Sequence, residues 1–222
     1  MKKITIFSLL ILLSAAVFAN DPVALILKSA GKIEVTRTED KYVAKAGENL
    51  FDKDELVSGE ESFAVVKFVD GSSNVKLFPN SILTIETSQE NGLLNKKSTL
   101  LVGSILAKVN KKTGLFEVDT PNNVVSVKGT EFIVEVNDAG CATVSVKEGV
   151  VEIKNKATGN VTEVSAGKKV TENANGEFDF SDNSNSEFDD STEGEKNTEV
   201  MQIELENETG EKETIEIKFE KR

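Results

Sequence analysis

The chain has 222 residues, no histidine, one cysteine and a formal net charge of −12. Its acidic character disfavours binding to nucleic-acid phosphates. Without histidine, Ser–His and Cys–His nucleophile pairs and histidine metal ligands are excluded, and a single cysteine excludes an intrachain disulfide.

The first residues, 1–19, have the features of a secretory signal peptide. Lys2 and Lys3 form a basic start, residues 4–13 are apolar, and residues 17–19 form a small-residue cleavage site. The apolar run is shorter than the ~20 residues that a membrane-spanning helix needs. We therefore predict a cleaved signal and an exported protein, periplasmic, surface-associated or secreted, that does not span the membrane; an uncleaved anchor is the alternative.

The central stretch, residues 120–136, predicts a corner, a strand, a bend and a second strand. Thr120 and Pro121 favour the corner because proline fixes φ and extends its predecessor. Residues 123–127 alternate in polarity, Gly129 and Thr130 interrupt, and alternation resumes with Phe132. We expect Gly129 to supply the bend and Thr130 to hydrogen-bond the backbone groups that the bend frees.

Short alternating segments separated by turn residues, such as Asp70-Gly71, continue to about residue 170. None carries a capped apolar stripe of helical period, so the sequence predicts an all-β domain. Gly31, Gly103 and Gly149 each open a strand two residues before a β-branched residue. This weak internal repeat favours a β-solenoid-like coil of short strands, and a β-sandwich is the alternative.

Composition changes at Thr171, where polar and acidic residues begin to dominate. We predict a signal peptide at 1–19, an all-β domain at 20–170, an acidic disordered linker at 171–199 and a C-terminal β-hairpin at 200–222. The hairpin has one apolar face, which we expect to dock because an isolated hairpin is marginal in water. It would dock on its own domain or, by strand addition, on another protein.

No catalytic, metal or cofactor constellation is predicted, and we expect no enzymatic activity. Cys141 is expected to be a small core residue, with an intermolecular bridge as the alternative. One acidic run has calcium-loop offsets but Ser184 where that loop needs glycine, so a solvated linker is favoured over a loose calcium site. The run consists of Asp179, Ser181, Asn183, Asn185, Glu187 and Asp190.

Six motifs follow one another in a recognisable order. They are Gly31 to Val35, Val69 to Ser72, Leu100 to Gly103, Thr120-Pro121 with Val127 to Phe132, Val146 to Val150, and Ala166-Gly167. In this order they resemble the FecR domain family over about residues 23–170, and six motifs in register are far more specific than one. The positions that the motifs mark are expected to be structural: Asp70, Gly71, Thr120, Pro121, Gly129, Thr130, Phe132, Gly149 and Gly167.

The best-known members of that family relay iron-siderophore status from an outer-membrane receptor to a sigma factor, through a cytoplasmic sigma-binding region and a transmembrane helix. This sequence has a signal peptide in their place, so we expect the sigma-binding and transmembrane parts to be missing. The resemblance implies an exported, non-enzymatic scaffold that binds another envelope protein. Alternatives are the exported half of an iron- or stress-responsive sigma-factor system, and a calcium- or polysaccharide-binding module.

Overall fold

The structure of the protein is a computed structural model that describes residues 21–110, 114–183 and 188, together with the backbone of residues 198–206 and 212–220. The predicted signal peptide lies outside the described residues, as do residues 189–197 of the predicted linker. Within the described part there are nineteen β-strands and no α-helix. The expectation of an all-β protein is confirmed.

The strands, in chain order, are β1 (Ala24–Ala30), β2 (Ile33–Arg37), β3 (Asp40–Ala44), β4 (Asn49–Leu50), β5 (Glu55–Ser58), β6 (Phe63–Phe68), β7 (Ser73–Leu77), β8 (Ile82–Glu90), β9 (Leu93–Val109), β10 (Phe116–Asp119), β11 (Asn123–Val127), β12 (Glu131–Val136), β13 (Ala142–Glu148), β14 (Val150–Asn155), β15 (Val161–Ser165), β16 (Lys168–Glu172), β17 (Phe178–Asp182), β18 (Thr198–Glu206) and β19 (Lys212–Glu220).

Strands β1 to β17 form one hydrogen-bonded network with two branches. Sheet A contains β1, β4, β6, β7, β12, β13, β16 and β17, and sheet B contains β2, β3, β5, β8, β10, β11, β14 and β15. The pairs are antiparallel except β9 with β10, which is parallel. The choice between a solenoid-like coil and a sandwich stays a prediction.

The long strand β9 joins the two branches. Its first part, up to Val102, pairs with β8 and β10 in sheet B. From Gly103 onward it pairs with β12 and β7 in sheet A. Gly103 has a φ of 94°, a conformation that glycine adopts at little cost, so the strand can change branch at this residue without ending.

Side chains from both branches form one apolar core. Phe116 of sheet B lies between Phe68 and Phe132 of sheet A, with ring centroids 6.2 Å and 6.4 Å apart and the rings nearly perpendicular. Edge-to-face contacts of this kind are favourable beyond the apolar area that they bury. The alternating valines and isoleucines of the sequence supply most of the remaining core, as the period-two pattern predicts.

The sheets continue past the boundary predicted at residue 170. That residue lies inside β16, and β17 pairs with β16 from Lys168 to Glu172. Residues 171–182, the start of the predicted linker, therefore contain the end of β16 and all of β17. This happens because Phe178 packs against the core and the backbone of β17 hydrogen-bonds to β16. Cys141 is also placed differently from its expected core position, since it is only partly buried and lies in the turn before β13.

Strands β18 and β19 pair antiparallel over their whole length and form a separate two-stranded sheet. Met201 is opposite Ile217 and Ile203 is opposite Ile215.

Candidate protein-contact site

The corner at Thr120 is closed by hydrogen bonds with Asn123. The Thr120 amide donates to the Asn123 carbonyl at 2.8 Å, and the Asn123 amide donates to Thr120 Oγ1 at 3.0 Å. Both residues are buried, whereas Pro121 is exposed. The proline therefore fixes the backbone at the surface, and the threonine hydroxyl satisfies a buried amide, so the motif here is structural.

A buried carboxylate ties this corner to the end of the domain. Asn123 Nδ2 donates to Glu172 Oε2 at 2.6 Å, Asn155 Nδ2 donates to Glu172 Oε1 at 2.7 Å, and the Ala142 amide donates to Glu172 Oε2 at 3.2 Å. The Glu172 residue is 5% exposed. A buried carboxylate without a cationic partner needs such donors. Sequence reasoning missed this cluster because its members are far apart in the chain.

The three glycines of the internal repeat all lie where the chain passes between the branches. Gly31 leads from β1 to β2, Gly103 divides β9, and Gly149 leads from β13 to β14. Each has a positive φ, and a Cβ on each would come within 3.2 Å of the Cα of Ser62, Ser81 or Thr130, respectively. The repeat therefore marks corners at which a second chain segment packs against a glycine that has no room for a side chain.

Thr130 differs from the two serines at these corners. Ser62 Oγ accepts the Lys32 amide at 2.9 Å and Ser81 Oγ accepts the Ser104 amide at 2.8 Å. Thr130 instead turns its Cγ2 methyl toward Gly149, 2.6 Å from where a Cβ would lie, and its buried hydroxyl has no hydrogen-bond partner. The expectation that Thr130 bonds the freed backbone groups is wrong for the side chain. Its carbonyl does accept the Val109 amide at 2.9 Å.

The Asp70-Gly71 turn is held by a buried lysine from sheet B. Lys96 is 1% exposed, and its Nζ donates to Asp70 Oδ2 at 2.6 Å. The Ser72 amide and hydroxyl also donate to Asp70. Burial raises the pKa of the Asp70 carboxyl, but the hydrogen bonds from Lys96 and Ser72 outweigh it and leave that pKa below its ordinary value. The aspartate thus connects the two branches.

Three further motif positions are also structural in their surroundings, and one of them, Gly129, has a φ of 74° at the predicted bend. Phe132 is fully buried in the core cluster. Gly167 has a φ of 80° in an exposed turn, where a Cβ would meet nothing, and its amide donates to the Val146 carbonyl at 2.8 Å.

The acidic run with calcium-loop offsets begins in a strand rather than a loop. Asp179 and Ser181 belong to β17, which is paired with β16. Asn185, Glu187 and Asp190 lie outside the described residues. Across residues 21–110, 114–183 and 188, the structure has no group of three or more Asp, Glu, His or Cys residues placed to hold a metal ion.

A shallow groove lies beside the Gly129 bend, and we call it the bend groove. It consists of two adjoining depressions of about 500 Å³ and 250 Å³ that share Leu115, Val127 and Lys128 as lining residues. The larger one extends over Gly149 to Val150, and the smaller one extends to Leu93.

The bend groove exposes three large apolar side chains. Leu93, Leu115 and Val150 are 49%, 50% and 47% exposed, respectively. Charges of both signs line the same depression, namely Lys128 and the carboxylates of Glu152 and Glu163. Neighbouring exposed apolar residues rimmed by polar groups are typical of protein-contact surfaces. The motif residues Gly129 and Gly149 shape this groove, so the predicted motif and the candidate site adjoin.

Residues 54–152 match the family model described as FecR protein. The resemblance that the motifs indicated is confirmed: the chain carries a FecR domain. The matched range runs from the start of β5 into β14, and it contains every lining residue of the bend groove except Glu163.

Among solved structures, the chain is similar to a protein proposed to be an anti-sigma factor from Parabacteroides distasonis ATCC 8503, with 21% identity and a TM-score of 0.50. The similarity covers 58% of this chain and 59% of that chain, so it spans little more than half of that protein. A second crystal structure with the same description has a TM-score of 0.49. At this identity the likeness shows a shared fold. No curated protein matches the chain.

A search of the described residues for a helix long and apolar enough to cross a bilayer finds none.

Proposed function

We propose that this protein is an exported, non-enzymatic binding module of the bacterial cell envelope, and that its FecR domain contacts another envelope protein through the bend groove. The observation that carries the proposal is the exposure of Leu93, Leu115 and Val150 around one groove. These three residues lie within the range that matches the family.

Energetics support a protein as the ligand. Burying three half-exposed aliphatic side chains would contribute a few kcal/mol to the free energy of binding, at about 25 cal/mol per Å² of apolar surface. The surrounding Lys128, Glu152 and Glu163 would orient a partner and select against wrong ones. The groove is shallow and open, and contiguous apolar residues with a polar rim suit a protein surface better than a small molecule, which usually binds in an enclosed cavity.

Export rests on the sequence of residues 1–19, with its basic start, apolar run and cleavage site. Fractionation with a C-terminal tag tests this part on its own. We expect a processed protein outside the cytoplasm, and full-length protein that remains in the cytoplasm would contradict export.

Affinity isolation from envelope extracts tests the contact. We expect the wild-type protein to enrich a partner, Leu115→Ser to lose it, and Val43→Ser to retain it. Val43 is a matched control because it is 52% exposed on β3 and does not line the groove. No enriched protein, or equal enrichment by both variants, would contradict the proposal.

A second candidate function is the exported half of an iron- or stress-responsive sigma-factor system. The FecR family match favours it, and the description of the structural neighbour is of a related kind. It predicts a neighbouring gene for a sigma factor or a small membrane anti-sigma protein. Deleting the gene for this chain should then change the transcripts that depend on that sigma factor, and an unchanged transcriptome under iron limitation and envelope stress would contradict it.

A further inference from the structure

Phe188 is buried against sheet A although its sequence surroundings are acidic and polar. The residue is 4% exposed and packs with Leu106 and Ile133, and Phe78 borders the same cluster. This small cluster is separate from the main core. Leu106 and Ile133 thus form a binding site for one aromatic side chain, which we call the seat. The aromatic residue comes from a stretch of sequence whose composition predicts a solvated linker.

The seat lies on the face of sheet A that is turned away from the core. Phe132 and Val134 of β12 are core residues, so Ile133 between them faces the opposite side. Leu106 on β9 is its direct partner in the ladder. Without Phe188, this aliphatic pair would lie on the outer surface of the sheet.

Lysines surround the seat. Lys147 Nζ lies 5.8 Å from the Phe188 ring centroid, and Lys76 Nζ lies 5.0 Å from the Phe78 ring centroid. Lys108 and Lys147 both pair with Glu131, at 3.4 Å and 2.6 Å. Cations near aromatic faces are favourable. The sequence from 179 to 195 contains seven acidic residues and no lysine or arginine, so its charge complements this face.

The chain path makes the contact reachable. The Asn183 amide donates to the Gly167 carbonyl at 3.0 Å, and Asn183 Nδ2 donates to the Val146 carbonyl at 3.3 Å. Four residues lie between Asn183 and Phe188, and the five residue-to-residue steps can span at most roughly 17 Å. Val146 is on β13, the direct neighbour of β12, and neighbouring strands are about 4.8 Å apart. The distance from Asn183 to the seat is well within that reach.

We propose that the outer face of sheet A is a peptide-binding surface that recognises an aromatic side chain within an acidic sequence, and that Phe188 is its resident ligand. The seat of Leu106 and Ile133 binds the ring, and Lys147 and Lys76 select for acidic neighbours. A segment of the same chemistry supplied by another molecule competes with Phe188 for this surface. The surface is distinct from the bend groove, so this proposal does not depend on the proposed function.

Methyl NMR of the full chain labelled at leucine and isoleucine tests the resident contact. The Phe188 ring should shift the methyl resonances of Leu106 and Ile133, and Phe188→Ala should move both toward values without a ring current. Phe180→Ala is the matched control, because Phe180 is 55% exposed and outside the cluster, and it should leave both unchanged. Core methyls such as Ile153 report that each variant is folded. Unchanged Leu106 and Ile133 shifts in Phe188→Ala would overturn the proposal.

A synthetic peptide of residues 184–192 tests recognition from another molecule. Added to Phe188→Ala, it should perturb the methyls of Leu106 and Ile133 in a saturable manner, and with at least about tenfold tighter apparent binding than to the wild-type chain, whose seat is occupied. A peptide with serine in place of phenylalanine should cause no such change. Equal perturbation of the two proteins, or none in Phe188→Ala at millimolar peptide, would overturn the proposal.

Discussion

At the scale of single residues, the corners between the branches are the most constrained positions. Gly149 combines a φ of 88° with a neighbouring segment so close that a Cβ would lie 2.6 Å from Thr130 Cγ2 and 2.8 Å from the Gly129 carbonyl oxygen. Gly167 has a similar φ of 80° but open space around it. Comparing substitutions at these two glycines therefore distinguishes the energetic cost of a positive φ from the cost of steric crowding.

We predict that Gly149→Ala lowers the free energy of unfolding by roughly 3–4 kcal/mol, because a positive φ and a clash with backbone both cost energy. Gly167→Ala should cost only about 1–2 kcal/mol, the part due to φ. Urea denaturation followed by far-UV circular dichroism measures both, since the chain has no tryptophan. Equal losses would show that the corner at Thr130 is not closely packed.

The carboxyl of Glu131 makes the free energy of unfolding depend on pH in acid. Burial raises the pKa of its carboxyl, but Lys147 and Lys108 outweigh burial and hold that pKa below its ordinary value. A carboxyl with a lowered folded-state pKa stabilises the fold above its unfolded-state pKa, and that contribution is lost as the pH falls through the folded-state value. The stabilisation by Glu131 is therefore present at neutral pH and lost in acid below about pH 4.

We predict that Glu131→Gln is less stable than the wild type at about pH 7 and that the difference shrinks at acidic pH, as the wild-type carboxyl takes up its proton. Glu135→Gln is the control, because Glu135 is exposed on the same strand and should change stability little at either pH. Denaturation midpoints at the two pH values measure this. A difference that stays constant with pH would contradict the role of the two lysines.

At the scale of elements, Glu172 holds four segments together. Its carboxylate accepts hydrogen bonds from Asn123 at the start of β11, from Asn155 at the end of β14 and from the Ala142 amide of β13, while Glu172 itself ends β16. Removing it leaves buried donors without partners, which costs more than the bonds themselves contribute.

We predict that Glu172→Ala lowers the free energy of unfolding by about 2–3 kcal/mol. Glu163→Ala, at an exposed position of β15, should be close to neutral. Hydrogen exchange adds a local test, because the amides of β11 and β16 should lose protection together in Glu172→Ala. A neutral Glu172→Ala variant would show that the network is not a structural tie.

The same elements show which parts of the structure can be predicted from the sequence and which cannot. Period-two alternation and turn residues predict the all-β class, and the motifs around Gly129 predict the family, because both depend on neighbouring residues. The ladder between β12 and β9, the Glu172 cluster and the Phe188 seat depend on contacts between segments distant in the chain, which local patterns do not encode. β17 was missed because Phe178 is its one residue packed on the core, within an otherwise polar stretch.

At the scale of the whole molecule, the residues proposed to contact a partner differ from most of those that hold the fold. The positions that the motifs mark close turns and corners or belong to the core, whereas Leu93, Leu115 and Val150 lie near them with large apolar side chains about half exposed. This arrangement is what a binding module requires, since a rigid framework can present a surface that varies with the partner. We therefore propose that the bend groove meets another protein outside the cytoplasm.

Site-specific photocrosslinking in intact cells tests this claim most directly. A photoreactive amino acid at position 115 should yield one discrete crosslinked species in the envelope fraction, and the same amino acid at position 43, equally exposed but outside the groove, should not. A crosslink from position 115 that is lost in cells lacking the captured partner would complete the result. No crosslink from position 115, or the same species from both positions, would contradict the claim.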